Sequence, residues 1–123
     1  MPLVIFVDDS ETALASTRMV TDSMPIEVKQ YLSATDALRE IKSGLTPDLI
    51  ITDMNMPVMN GFEFLQELRK HASTLRTPVL MLTTETRDEL KVQGKALGLT
   101  GWIVKPFNPA QLKQAIARVL RLA

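Results

Sequence analysis

Five short, mostly β-branched apolar runs recur at near-even spacing along the 123 residues of this chain. Leu3–Val7, Leu49–Ile51, Val79–Leu82 and Ile103–Val104 are near-continuous rather than alternating. Strands covered on both faces read this way, because neither face meets water. Ile26–Tyr31 (IEVKQY) alternates apolar and polar residues instead, the pattern of an edge strand. Between the runs the apolar period lengthens to that of a helix. Ala34, Ala37, Leu38 and Ile41 form one stripe, Phe64, Leu65 and Leu68 a second, and Leu112, Ile116, Val119 and Leu120 a third. Gly44 ahead of Pro47 predicts a helix end, and Asn108-Pro109 a helix start with asparagine as the cap. Ser10–Ser23 and Arg87–Leu97 carry weaker stripes, and Gly94 interrupts the second.

Strand and helix therefore alternate, which predicts an α/β fold: one doubly wound, five-stranded parallel sheet formed by residues 1–123. Right-handed crossovers leave few topologies for that order. The usual one is 2-1-3-4-5, the flavodoxin-like arrangement, with its ligand crevice at the carboxyl ends of the first and third strands.

The balance of charge narrows the function. Lys and Arg total 14 and Asp and Glu total 14, so no global field draws the chain to nucleic acid or to an anionic membrane. Cysteine is absent, which removes disulfides, thiolate nucleophiles and zinc-thiolate sites together. The opening MPLVIFVDDS lacks the basic region of a signal peptide, and no apolar run approaches the length of a membrane span. The expectation is a cytoplasmic protein.

Chemistry concentrates at the strand ends. The first strand stops at Asp8-Asp9, the third at Asp53, the fourth at Thr83 and the fifth at Lys105. The predicted topology brings all of them to one crevice. Carboxylates that close repel one another unless a cation joins them. Hard oxygen ligands in small number suit Mg²⁺, which keeps several waters and leaves room for phosphate oxygens. Thr83 could donate to such an oxygen and Lys105 could neutralise another. Asp53, at the centre of the sheet, is the candidate nucleophile, and Asp8-Asp9 is better suited to hold the metal. A nucleophile, a metal clamp and fixed positive charge are the parts of phosphoryl transfer.

Four segments carrying these residues, VDDS at 7–10, ITDMNMPVMNGFEFL at 51–65, MLTTE at 81–85 and GWIVKPFNP at 101–109, resemble the response-regulator receiver-domain family. The nearest resemblance within it is to stand-alone chemotaxis regulators. The resemblance implies that Asp53 is the phosphoacceptor. It implies that Asp9 ligates Mg²⁺ directly, Asp8 through a metal-bound water, and Asn55 through its backbone carbonyl. Thr83 corresponds to the switch hydroxyl, Lys105 to the lysine that pairs with the phosphoryl group, and Trp102 to the aromatic switch position. Asn55 and Glu85 fall where the family tunes dephosphorylation, and the Lys105-Pro106 bond is commonly cis.

The implied partners are a sensor histidine kinase of the chemotaxis type, the flagellar motor switch protein and an auxiliary phosphatase. The implied protein is a monomeric signalling switch rather than an enzyme with its own substrate. Two positions depart from the chemotaxis pattern: Met54 stands where some members have Trp, and Lys91 where an apolar contact residue often sits. No output domain is expected after Ala123, so output would be protein binding. A phosphate sink, a phosphorelay receiver and the excised receiver of a longer regulator remain open alternatives. A hydrolase would need a cap domain and a second carboxylate near Asp53. A flavin-binding domain would need a phosphate loop where Asp8-Asp9 would repel the phosphate.

Overall fold

The computed structural model describes residues 1–122. The chain runs β1 (Leu3–Val7), α1 (Glu11–Thr21), β2 (Glu27–Tyr31), α2 (Ala34–Lys42), β3 (Leu49–Thr52) and α3 (Gly61–Leu68). A short 3-10 turn (Ala72–Thr74) follows, then β4 (Val79–Thr83), α4 (Asp88–Ala96), β5 (Gly101–Val104) and α5 (Pro109–Leu120). The five strands form one sheet in the order β2-β1-β3-β4-β5, every neighbouring pair parallel. The predicted fold class, strand order and edge position of β2 are all observed.

The sheet divides the core in two because successive strand residues face opposite sides. From β1, Ile5 and Val7 pack with Ala34, Leu38, Ile41, Phe64 and Leu68 of α2 and α3. Val4 and Phe6 pack on the other side with Leu14, Leu112 and Ile116 of α1 and α5. A fully buried side chain such as Phe64 or Leu112 contributes about 1.5–3 kcal/mol relative to exposure. A third cluster, Met54, Phe62 and Met81, lies against Leu90, Leu99 and Trp102.

Helix starts follow the chain's own caps. Ser10 and Ser33 side chains accept from the amides of Ala13 and Asp36. Asn60 and Glu63 close a capping box at α3, and Asn108 caps α5 ahead of Pro109. Asn60-Gly61 thus forms the start of α3. Gly61 is required there: a Cβ on it would stand 2.6 Å from the backbone oxygen of Asp53.

Candidate functional site

The reactive side chains leave the sheet where its ladder of hydrogen bonds ends. The amide of Asp8 donates to Tyr31 O at 3.1 Å, that of Asp53 to Val7 O at 2.9 Å, and that of Lys105 to Thr83 O at 2.8 Å. Each residue is one position beyond its strand, so the sheet itself sets their mutual placement.

Asp8, Asp9 and Asp53 each offer a carboxylate oxygen within 4.8 Å of the others. Asp8 is buried and Asp9 exposed. Lys105 Nζ sits 2.5 Å from Asp8 Oδ2 and 3.3 Å from Asp53 Oδ2. Burial works to lower the Lys105 pKa, but the hydrogen bond to Asp8 and the charge of Asp53 outweigh it and hold it above the ordinary lysine value. One ammonium faces three carboxylates, which leaves local negative charge for a divalent cation to balance. The donors are all hard oxygens in small number, and they fit Mg²⁺.

The two oxygens of Asp53 differ. Oδ1 accepts from the Met54 amide at 2.6 Å and the Asn55 amide at 3.3 Å. Oδ2 faces Lys105. Two main-chain donors on one oxygen fix the carboxylate plane, so Asp53 is oriented before any partner arrives.

Thr83 is fully buried and Thr84 exposed, which assigns the pocket hydroxyl to Thr83. Its Oγ1 accepts from the Glu85 amide at 3.3 Å. The indole of Trp102 donates to Glu85 O at 2.9 Å and meets Phe62 edge-on, with ring centroids 6.3 Å apart. The Lys105-Pro106 bond is cis. Asp8, Asp9, Asp53, Asn55, Thr83, Glu85 and Lys105 thus lie in or beside one crevice, and Trp102 is tied to it through Glu85.

Two arginines were not foreseen. Arg69 donates to the carbonyls of Thr74, Thr77 and Gly98, fastening the connection before β4 to the end of α4. Arg87 Nε bonds Glu85 Oε1 at 2.7 Å. Nothing local in the sequence marks Arg69, because its partners are main-chain carbonyls brought to it by folding. Arg87 carries one faint signal, a basic residue where a helix cap is expected.

Comparison with known proteins places this arrangement. Residues 4–117 match the response regulator receiver domain model. The chain is 31% identical over 123 residues to the phosphate regulon transcriptional regulatory protein PhoB of Rhizobium meliloti, covering 100% of this chain and 54% of that protein. The chain therefore spans about half the length of that relative. It is 38% identical over 117 residues to chemotaxis protein CheY-3 of Vibrio cholerae, covering 94% of this chain and 89% of that one. The solved structure of Vibrio cholerae chemotaxis protein CheY4 superposes with a TM-score of 0.91 at 43% identity, covering 98% of this chain and 99% of that one.

Proposed function

This chain belongs to the response regulator receiver domain family, and we propose that it is a chemotaxis-type switch phosphorylated on Asp53 by a sensor histidine kinase in a Mg²⁺-dependent reaction. The observation that carries the proposal is Asp53 itself. Its Oδ1 is held by two backbone amides, its Oδ2 faces Lys105, and Asp8 and Asp9 flank it.

Asp53 Oδ2, which has no main-chain donor, attacks the phosphorus of a phosphohistidine. The bond from phosphorus to the imidazole nitrogen breaks and the histidine keeps the electron pair. Lys105 neutralises charge on the transferred group as a fixed cation. Held by Asp8, Asp9, Asp53 and the Asn55 carbonyl, Mg²⁺ would supply charge stabilisation to the phosphoryl oxygens. An apolar groove lined by Ala13, Met19, Val20, Phe107 and Pro109 runs beside Lys105 and supports docking of the donor there.

The phosphoryl group adds roughly −1.5 to −2 charge at Asp53. The Thr83 hydroxyl then turns to the new oxygens, and Trp102 moves inward toward the space it leaves. That biases a two-state equilibrium of the face built from α4, β5 and α5. In this reading the face binds the flagellar motor switch in the cytoplasm, and the monomer clears its own acyl phosphate with or without an auxiliary phosphatase. Similarity to CheY-3 and CheY4 over nearly the whole chain supports the chemotaxis role.

A second reading, the receiver of a longer regulator, is supported by the match of this whole chain to only 54% of PhoB. A phosphate sink or phosphorelay receiver shares the same chemistry. Incubation with acetyl phosphate and Mg²⁺ followed by mass measurement tests the common core. A phosphoryl adduct should form on wild type and vanish in Asp53→Asn; an adduct that survives the substitution removes the assignment. Phosphorylation should then tighten binding to the N-terminal peptide of the motor switch protein, and no tightening removes the motor reading.

A further inference from the structure

Three hydrogen bonds converge on Glu85 at the mouth of the site. Its amide donates to Thr83 Oγ1, its carbonyl accepts from Trp102, and its carboxylate, which lies near Asn55, accepts from Arg87 Nε at 2.7 Å. The Glu85 side chain is 19% exposed and that of Arg87 62%.

Arg87 is the wrong residue for the helix it begins. It occupies the N-cap of α4, where Ser, Thr, Asp or Asn would satisfy a free amide, and it makes no side-chain cap bond. The helix dipole also disfavours a cation there. A local rule broken without gain to the fold points to a role elsewhere. The only side-chain hydrogen bond Arg87 makes among the described residues is to Glu85.

We propose that Arg87 is a positioning residue that lengthens the life of the phosphoryl group on Asp53 by clamping the Glu85 carboxylate beside Asn55. The inference rests on the assignment of Asp53 as phosphoacceptor. In the clearing reaction a water oxygen bonds to phosphorus as the bond from phosphorus to the Asp53 oxygen breaks. Asp53 keeps the electron pair, and inorganic phosphate leaves. The water's proton must pass to a base. A free Glu85 carboxylate can turn to accept that proton and hand it to solvent. Paired with Arg87, the carboxylate is turned aside and its Oε1 is already engaged by the Arg87 Nε–H, so it is not free to take the proton.

An exposed pair of this kind adds little to stability but biases a two-state population by up to about fivefold. Loss of the adduct is therefore followed by mass after removal of acetyl phosphate, in wild type, Arg87→Ala, Glu85→Ala and the double variant. Arg87→Ala should lose its phosphoryl group about threefold to fivefold faster at an unchanged urea midpoint. In the Glu85→Ala background the same substitution should add nothing, and Arg87→Lys should recover most of the wild-type lifetime. An unchanged or longer lifetime in Arg87→Ala overturns the proposal, as does equal acceleration with Glu85 absent. Wild type that forms no adduct overturns the assignment of Asp53 and this inference with it.

Discussion

Trp102 donates its indole N–H to the carbonyl of Glu85 at 2.9 Å, across 17 positions of sequence. The bond ties β5 to the connection between β4 and α4. The ring flank rests on Phe62, which is itself packed closely under α4, since a Cβ on Gly94 would lie 3.3 Å from Phe62 Cε1 and 3.0 Å from Leu99 Cδ2. Trp102 is thus fixed at its polar tip and packed along its side. Any movement of the Glu85 connection must be felt by the indole.

Trp102→Phe keeps the aromatic contact and removes the donor. The cost should be about 1 kcal/mol by urea denaturation. Amide exchange should accelerate at residues 84–88 and stay slow in the sheet. Acceleration spread through β1 and β3 would mean that the residue serves the core rather than the connection.

Gly61→Ala should injure the site directly. The added Cβ would meet Asp53 O at 2.6 Å and Met54 Cα at 2.9 Å, both main-chain atoms that cannot swing away. A helix gain below about 1 kcal/mol is outweighed by an overpacking cost of about 2 kcal/mol. Asn60→Ala, which removes the cap of α3, should cost about 1 kcal/mol without touching that carbonyl. Phosphoryl uptake from acetyl phosphate should fall in Gly61→Ala and stay near wild type in Asn60→Ala. Equal uptake in the two variants would separate Gly61 from the placement of Asp53.

Lys105→Met leaves Asp8 buried without its cation. A fully buried pair broken this way costs more, but Lys105 is 16% exposed, so about 2 kcal/mol is expected without metal. Saturating Mg²⁺ should recover part of that loss, because the cation and Lys105 answer the same carboxylates. Urea midpoints with and without Mg²⁺ measure it; an identical deficit in both conditions would show that they do not share this charge.

Tyr31 is the sole tyrosine, so its titration can be followed by absorbance without interference. Burial, with the charge of Glu40, raises its pKa above the ordinary tyrosine value. The neutral phenol is therefore favoured more in the folded chain than in the unfolded one. The stability this adds is complete below about pH 10 and falls as pH rises through the folded value. Tyr31→Phe should flatten the alkaline decline in urea midpoint; an unaltered decline would place its cause elsewhere.

The placement of the site was legible because each of its residues ends an apolar run, so Asp8, Asp53, Thr83 and Lys105 could be located by strand position alone. The two weak helical patterns have different physical causes. In α1, Thr17 and Thr21 take buried positions, their hydroxyls returned to the carbonyls of Leu14 and Thr17, so a polar sequence covers an apolar face. In α4 only Gly94 is buried, and a glycine contributes no stripe. The 3-10 turn at Ala72–Thr74 and the grip of Arg69 depend on main-chain carbonyls, which no residue type announces.

The ladder bonds from Asp8, Asp53 and Lys105 have a consequence on the axis of time. Their amides are the last rungs of the sheet, so they should exchange with solvent only when the whole domain opens. The connections that carry Asn55, Glu85 and Arg87 lie outside that ladder, and their amides should exchange sooner. Slow and fast layers thus meet within one crevice. Motion in the fast layer can alter what reads Asp53 or clears it, while the slow layer keeps Asp53 where it stands for as long as the domain is folded.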